Sequence, residues 1–414
     1  MGKTFSEKIL GRKAGREVSA GDFVEIEPDM AMSHDNTADI SRKFYSLGTD
    51  QVYDPQKHVI VLDHATPPPN EKFAENHKVI REFVKRQKIR GFYDINRGIC
   101  HQVLPEEGHI VPGIVAVGSD SHSTSYGAFG AFGTGIGRSE MAVIMATGEI
   151  WFRVPETVKI LIEGEVPAGI SSKDIILHII GDLGADGALY QAVEFAGSVV
   201  DEMSVAGRFV LSNMAVEFGA KAGYSIPNRE TIEYLQGRTT DSWEIVTSDD
   251  DAEFTEIYRY DVSDLTPQVA CPHTVDNVSP VSDVAGTKID QVFFGSCTNA
   301  RLEDFQVVAE VLHGKEIHPN VRMLVFPASR EVLFDALREG YVQDILDAGA
   351  VLMNPGCGAC MGNHEGVPAD GEVVVSTSNR NFKGRMGNRN SEIYLASPRT
   401  AAVSALTGEI TDFR

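Results

Sequence analysis

Three cysteines are the residues of this chain whose type and spacing most clearly indicate chemistry. Cys357 and Cys360 form a Cys-x-x-Cys pair in a glycine-rich stretch, and Cys297 follows the short apolar run 292–294. A structural zinc ion or an electron-transfer iron–sulfur cluster usually takes four protein ligands. Three thiolates around an iron–sulfur cube would leave one iron open, and Lewis-acid catalysis requires an open coordination position. The cysteine count therefore favours a catalytic cluster.

The same cysteines permit two other interpretations. His364 follows Cys360 by four positions, so a Cys3His zinc site is conceivable. A Cys-x-x-Cys pair can also be a redox dithiol. The spacing alone leaves these alternatives open.

Composition restricts the compartment and the partners. Five cysteines in 414 residues do not form a disulfide framework, and the sequence has neither a signal peptide nor an apolar run long enough to span a membrane. We therefore expect a soluble protein of the reducing cytoplasm, with no membrane partner. The net charge of −22, without a Lys/Arg tract, argues against nucleic acid as a partner. A small anionic substrate remains compatible, because its binding depends on the local field inside a cleft.

Short apolar runs, each followed by a polar loop, recur along the chain and predict buried strands. The strand-like runs are 59–62, 114–117, 292–294, 351–353 and 373–375. Open α/β sheets bind their ligands beyond the carboxyl ends of their strands. The pattern predicts an α/β fold in which these loops meet at one cleft.

Helical periodicity and composition divide the chain into three parts. Phe73, His77, Ile80 and Val84 form one apolar stripe of a predicted helix. Residues 238–285 are acidic and irregular, and a second change of pattern lies near residue 155. We predict subdomains over residues 1–155, 156–284 and 285–414, the second with an acidic irregular tail and the third with the three cysteines. The glycine-rich segment 127–137 lacks the setting of a dinucleotide loop and is predicted to be a packing loop.

Six motifs resemble signatures of the aconitase superfamily and cover nearly the whole chain. They are Asp63-His64, Gly98-Ile99-Cys100-His101-Gln102, Gly118-Ser119-Asp120-Ser121-His122-Ser123, Gly295-Ser296-Cys297-Thr298-Asn299, Pro355-Gly356-Cys357-Gly358-Ala359-Cys360 and Asn379-Arg380-Asn381-Phe382-Lys383-Gly384-Arg385. The resemblance implies three α/β/α subdomains around a [4Fe–4S] cluster. The length resembles the large subunits of the two-subunit branch, 3-isopropylmalate dehydratase and homoaconitase, which lack the mobile fourth domain of longer aconitases.

The resemblance also implies a set of site residues. The cluster would have three cysteine ligands and one open iron, the ligands being Cys297, Cys357 and Cys360. The implied catalytic residues are Asp63, His64, His101, Asp120, His122 and Glu217. The implied substrate-binding residues are His34, Ser121, Asn213, Asn379, Arg380 and Arg385. The i, i+4 spacing of Asn213 and Glu217 predicts one helical face for both, and Asn299 is expected to form hydrogen bonds near the cluster.

The implied activity is a hydro-lyase that isomerises a hydroxy-di- or tricarboxylate by dehydration and rehydration. The first expectation is 3-isopropylmalate, of leucine biosynthesis; homoaconitate and a maleate- or citraconate-type substrate follow. The resemblance implies a separate small subunit that carries the mobile domain with the catalytic serine. Two other classes of function remain: an RNA-binding regulator formed when the cluster is lost, and a zinc-stabilised scaffold.

Overall fold

The molecule is built around β-sheets that are mainly parallel and that follow one another along the chain. The computed structural model describes residues 2–414, and within them the strands form a two-stranded ribbon and sheets of five, four and seven strands. The strands are short and mostly buried on both faces, as expected where helices cover a parallel sheet. The α/β class predicted from the sequence is confirmed.

The first part of the chain contains a five-stranded parallel sheet and the ribbon. Its strands are β1 (Phe23–Ile26), β2 (Met30–Ser33), β3 (His58–Val61), β4 (Gly91–Tyr93), β5 (Val115–Gly118), β6 (Phe132–Gly135) and β7 (Ile150–Arg153). Its helices are α1 (Phe5–Ala14), α2 (Thr37–Ser46), α3 (Glu71–Gln87), α4 (Cys100–Glu106) and α5 (Arg138–Thr147), and a 3₁₀ helix spans Ser121–Phe129. The sheet order is β4-β3-β2-β5-β6, and β1 pairs with β7 antiparallel.

The second part contains a four-stranded parallel sheet in the order β10-β9-β8-β11. Its strands are β8 (Thr157–Glu163), β9 (Ala192–Ala196), β10 (Ala222–Ser225) and β11 (Ile257–Asp261). Its helices are α6 (Ser172–Leu183), α7 (Ser198–Glu202), α8 (Val205–Met214) and α9 (Arg229–Leu235), with a 3₁₀ helix at Ala215–Phe218. The acidic segment between α9 and β11 contains neither helix nor strand, as its composition indicated.

The third part contains the seven-stranded sheet, in the order β13-β12-β18-β17-β14-β15-β16. Its strands are β12 (Gln268–Ala270), β13 (Val278–Pro280), β14 (Gln291–Phe294), β15 (Arg322–Val325), β16 (Val351–Leu352), β17 (Val373–Ser376) and β18 (Glu392–Ala396). Its helices are α10 (Leu302–Leu312), α11 (Arg330–Arg338), α12 (Tyr341–Asp347) and α13 (Pro398–Thr407), and 3₁₀ helices span Val281–Val284 and Gly358–Met361. Strands β14 to β18 are parallel, whereas β12 is antiparallel to β13 and β18.

Local signals explain why several elements form where the sequence predicted them. The predicted apolar stripe lies on α3, which begins after Asn70, whose side chain accepts a hydrogen bond from the backbone N–H of Phe73. The predicted strands correspond to β3, β5, β14, β16 and β17. Strands β12 and β13 pair within the third sheet, although residues 268–280 precede the predicted boundary at 284/285.

The glycine-rich segment 127–137 is a packing element, as expected. A Cβ atom added at Gly127 would lie 1.8 Å from the carbonyl oxygen of Gly223 in β10. Only glycine permits this close approach of the 3₁₀ helix Ser121–Phe129 to the second sheet.

Among residues 2–414, no helix combines the length and the apolar character needed to cross a bilayer.

Candidate active site

Loops that follow the strands of the first and third sheets surround one enclosed cavity of about 100 Å³. Its lining residues are His64, Ile99, His101, Asp120, Ser121, His122, Ser296, Cys297, Cys357, Cys360, Met361, Asn379, Arg380 and Arg385. Most of the residues predicted from the sequence are therefore brought together. The other four, His34, Asp63, Asn213 and Glu217, lie behind this lining and contact it.

The three cysteines come from two loops of the third sheet. Cys297 lies in the loop after β14, and Cys357 and Cys360 lie at the 3₁₀ turn after β16. Their exposed fractions are 8%, 7% and 5%, respectively. Ser296 has a φ of 86°, a left-handed conformation that is uncommon outside glycine, so the loop holds a strained backbone beside a cysteine.

Nitrogen donors point at two of the sulfurs. The side-chain amides of Asn213 and Asn379 each donate to Cys297 Sγ at 3.2 Å. Arg385 Nη2 donates to Cys360 Sγ at 3.3 Å. Burial raises the pKa of the Cys297 thiol to about 12, so N–H donors and a bound cation are needed to favour its thiolate.

The donor set fits an iron–sulfur cube better than a zinc ion. Within residues 2–414, no three donors among the three thiols and His364 lie within 4.8 Å of one another. A tetrahedral zinc ion with Zn–S distances of about 2.3 Å needs sulfurs about 3.8 Å apart. His364 Nε2 instead donates to the carbonyl oxygen of Pro67 at 2.6 Å. The three thiols line one cavity but are too far apart to bind a single metal ion together. This arrangement suits a larger group with several metal atoms.

Asp120 is the centre of the histidine network. Its Oδ1 atom accepts from His101 Nε2 at 2.9 Å and from the backbone N–H of His122 at 2.8 Å. Its Oδ2 atom lies 3.5 Å from His64 Nε2. Burial opposes ionisation of this carboxyl, but the hydrogen bonds from the three histidines hold the pKa of Asp120 well below its ordinary value. Asp120 is therefore a carboxylate that orients imidazole rings around the cavity.

A second carboxylate, that of Asp63, contacts the other ring nitrogen of His64. Its Nδ1 atom lies 2.6 Å from Asp63 Oδ1, and Asp63 Oδ2 accepts from the backbone N–H of Cys100 at 2.7 Å. Burial disfavours the charged ring, yet the carboxylates of Asp63 and Asp120 raise the pKa of His64 well above its ordinary value. A histidine that stays protonated at neutral pH can donate a proton to a leaving oxygen.

The turn that bears Asp63 and His64 is fixed by Asp35. Asp35 Oδ2 accepts from the backbone N–H groups of Asp63 and His64 at 2.9 and 2.8 Å, and its Oδ1 accepts from Ala65. His77 Nε2 donates to Oδ1 of the same carboxylate at 2.7 Å. Sequence reasoning missed Asp35 and placed His77 only on an apolar stripe, because no local spacing signals that the loop after β2 contacts both α3 and the turn after β3.

His34 supports His64 by stacking. The two ring centroids are 3.9 Å apart, with planes inclined by 24°. Burial lowers the pKa of His34 to about 4, so the ring is neutral at physiological pH. His34 is thus placed behind His64, outside the lining where substrate contact was expected.

A further chain of contacts joins His122 to an arginine. His122 Nε2 donates to Glu217 Oε1 at 2.7 Å, and Arg380 Nε donates to both Glu217 oxygens at 2.8 and 3.0 Å. The predicted shared face of Asn213 and Glu217 would need one continuous α-helix, but α8 ends at Met214 and Glu217 lies in the 3₁₀ turn that follows. Asn213 therefore contacts Cys297, whereas Glu217 contacts His122 and Arg380.

The cysteine loop is anchored by Arg301, a fully buried residue that the sequence did not reveal. Its guanidinium donates to the carbonyl oxygens of Cys297 and Thr298, both at 2.8 Å, and to Gln102 Oε1 at 2.8 Å. It also lies 3.8 Å from the ring centroid of Phe209. The expectation for Asn299 is wrong: its amide donates to Asp304 and it lines a separate cleft.

The cavity thus combines three kinds of group. Thiols can hold a metal cluster, histidines between carboxylates can hold and move protons, and Arg380 and Arg385 offer guanidinium groups for carboxylates. Arg385 Nε is buried and has no hydrogen-bond partner within the described chain. An anionic group in the cavity would satisfy it.

Comparison with known proteins gives consistent results. The sequence matches the family described as "Aconitase family (aconitate hydratase)" over residues 7–288 and 280–408. It is 53% identical to "3-isopropylmalate dehydratase large subunit 1" of Methanopyrus kandleri, over 100% of this chain and 99% of that protein. It is 48% identical to the "Probable methanogen homoaconitase large subunit" of Methanothermobacter thermautotrophicus, over 98% of this chain and 96% of that protein.

A solved structure supports the fold. The holo-form of aconitase X from Thermococcus kodakaraensis superposes with a TM-score of 0.52, at 16% sequence identity. The similarity covers 96% of this chain and 93% of that chain. At this identity the comparison concerns the architecture alone.

Proposed function

The chain belongs to the aconitase family, and from this premise we propose that it acts as the large subunit of 3-isopropylmalate dehydratase. The proposed reaction is the reversible removal and re-addition of water on a hydroxydicarboxylate. The observation that carries the proposal is one small cavity lined by three thiols, the Asp120 network of histidines and two arginines. Each group corresponds to one requirement of that reaction.

Cys297, Cys357 and Cys360 would hold a [4Fe–4S] cluster. When bound, the cluster supplies Lewis-acid polarisation of the substrate hydroxyl at an iron without a protein thiolate. Asn213, Asn379 and Arg385 contribute N–H donors to sulfur, which stabilise negative charge on the thiolates.

The arginines would bind and orient the substrate. Arg385 has an unpartnered Nε donor, and Arg380 is held by Glu217 while part of it faces the cavity. Guanidinium groups bind carboxylates through two parallel hydrogen bonds, which fixes both the position and the orientation of a diacid.

The histidines would manage the proton that leaves with the hydroxyl group. His64, kept protonated by Asp63 and Asp120, donates a proton from Nε2 toward the cavity. Asp120 fixes His101 by accepting from its Nε2, and Tyr126 contacts its Nδ1 at 3.2 Å, so the ring orientation is set from both sides.

A separate small subunit would complete the site. The relatives are named large subunits, and dehydration also needs a base that removes a proton from carbon. We assign that base, a serine, to a mobile domain carried by the small subunit. Five free cysteines suit work in the reducing cytoplasm, and we retain a division into three subdomains, with the third sheet beginning at β12.

The experiment is reconstitution under anaerobic conditions. The chain alone should contain iron and sulfide but show negligible turnover of 3-isopropylmalate, and addition of the cognate small subunit should restore turnover. Zinc without sulfide would refute the cluster, and full activity of the isolated chain would refute the two-subunit proposal.

Homoaconitase is the second candidate, because a methanogen homoaconitase large subunit is 48% identical to this chain. The reconstituted pair should be assayed with both substrates. A kcat/KM for homoaconitate at least tenfold above that for 3-isopropylmalate would favour the second candidate.

A further inference from the structure

A second cavity, of about 900 Å³, lies beside the catalytic one. Its walls come from the ribbon β1/β7, from α5 and from the turn around Leu189 and Tyr190 that precedes β9. Ser121 lines both cavities. A protein bound in the larger cavity would therefore contact the edge of the active site. The proposed mechanism does not use this larger cavity, which we call the side cleft.

Large apolar side chains are exposed at the side cleft. Trp151 is 63% exposed and Leu189 is 72% exposed, and Val143 of α5 is also exposed beside them. Trp151 contacts Phe23 across the ribbon, with ring centroids 5.8 Å apart. Contiguous exposed apolar surface marks interaction sites, and buried tryptophans are frequent anchors of protein interfaces. This apolar surface is therefore better suited to contact with another protein than to permanent exposure to water.

The charged groups of the side cleft also lack ion-pair partners within residues 2–414. Lys221 Nζ donates to the carbonyl oxygen of Gly135 at 3.2 Å and lies 5.4 Å and 5.8 Å from the ring centroids of Phe152 and Tyr190. Within residues 2–414, its ammonium forms no ion pair. Three exposed glutamates line the same cleft, namely Glu25, Glu140 and Glu149. The cleft thus has an unpaired cation among aromatic rings and acidic groups around it.

We infer that the side cleft is the docking surface for the small subunit, an inference that rests on the proposed two-subunit function. The small subunit would pack an apolar ridge against Trp151 and Leu189, place a carboxylate opposite Lys221 and set basic side chains opposite the glutamates. This position brings it to Ser121, at the edge of the site that it completes.

A second copy of this chain is a poorer occupant. Each copy carries a net charge of −22, so self-association would bring a strongly acidic protein against the three glutamates. A partner with basic groups around an apolar ridge avoids that repulsion and gains from the same glutamates.

The test is the affinity of the cognate small subunit for the anaerobic holo-chain, measured by titration calorimetry. Trp151→Ala and Leu189→Asp should each weaken binding by about thirtyfold or more, as expected of interface anchors. Lys221→Met should weaken binding more than Lys221→Arg. The matched control is Leu337→Asp on α11, where another exposed leucine lies outside both cavities; its affinity should equal that of the wild type.

Two further readouts separate docking from general damage. Iron and sulfide contents should be unchanged in all variants, and turnover at saturating small subunit should stay within about twofold, because the changed residues do not line the catalytic cavity. Wild-type affinity in both Trp151→Ala and Leu189→Asp would overturn the docking surface. A dimer of this chain that Leu189→Asp dissociates would also overturn it. Absence of binding by the wild type would instead overturn the two-subunit proposal itself.

Discussion

The Nε2 atom of His101 lies 2.9 Å from the Oδ1 atom of Asp120. The same oxygen accepts the backbone N–H of His122, so one carboxylate oxygen fixes a ring from α4 and the start of the 3₁₀ helix after β5. The second oxygen faces His64. Three histidines from separate segments therefore share one acidic side chain as a hydrogen-bond or ion-pair partner.

Replacement of Asp120 by asparagine should lower kcat/KM by about 10²- to 10⁴-fold, the range associated with general acid–base groups. The amide keeps the shape but removes the charge that supports His64 and His101. The loss is measured as kcat/KM of the reconstituted pair, and circular dichroism checks that the variant is folded. Asp264→Asn, an exposed site, is the matched control and should keep wild-type kcat/KM.

Replacement of Cys297, Cys357 or Cys360 by serine should abolish the broad visible absorption of an iron–sulfur cluster. Cys271→Ser should retain it, because Cys271 lies outside the cavity and contacts Ser279. Iron and sulfide analysis on anaerobic protein checks the result. Retention of a full cluster in any one of the three variants would remove that cysteine from the proposed ligand set.

Arg385→Lys should weaken transition-state binding by about 2–5 kcal/mol, since lysine cannot reproduce two parallel hydrogen bonds to a carboxylate. The measurement is kcat/KM for 3-isopropylmalate and homoaconitate, which should fall by similar factors. Cluster content must be measured beside it, because Arg385 also contacts Cys360. Arg389→Lys, on the exposed surface of the same loop, is the control. A loss below about threefold, roughly 0.6 kcal/mol, would contradict the carboxylate role.

Acid should destabilise the protein through buried His58. Burial lowers the pKa of His58 from 6.5 to about 4. Between these values the unfolded chain binds a proton that the folded chain does not. The stability from this residue is therefore complete above pH 6.5 and falls by about 1.4 kcal/mol per unit as the pH drops toward 4. The melting temperature of His58→Leu should depend less steeply on pH over this window, whereas exposed His313→Gln should match the wild type.

Much of the site could be predicted because its signals are local. A short apolar run followed by a glycine-marked polar loop identifies a buried strand and its carboxyl end, and such ends meet at one edge of a parallel sheet. Asp63, Asp120, Cys297 and Arg380 all lie in loops of this kind. The resemblance to a family then selected particular residues within those loops.

The remainder depends on contacts between distant parts of the chain. Asp35 reaches the turn at Asp63 from another loop, and Arg301 bonds to Gln102 across 199 positions. The pairing of β12 with β18 likewise joins residues on either side of β14 to β17. Sequence spacing carries no information about such pairs, so the roles of Asp35 and Arg301 were missed.

Arg301 has a consequence for how the molecule should unfold. One side chain bonds to Gln102 from the first part of the chain, packs on Phe209 from the second and holds the Cys297 loop of the third. Unfolding of any one part would remove one of these contacts, so the three parts are coupled through a single buried side chain. Heating should therefore melt the three parts in a single calorimetric transition, and limited proteolysis should release no smaller fragment able to retain iron.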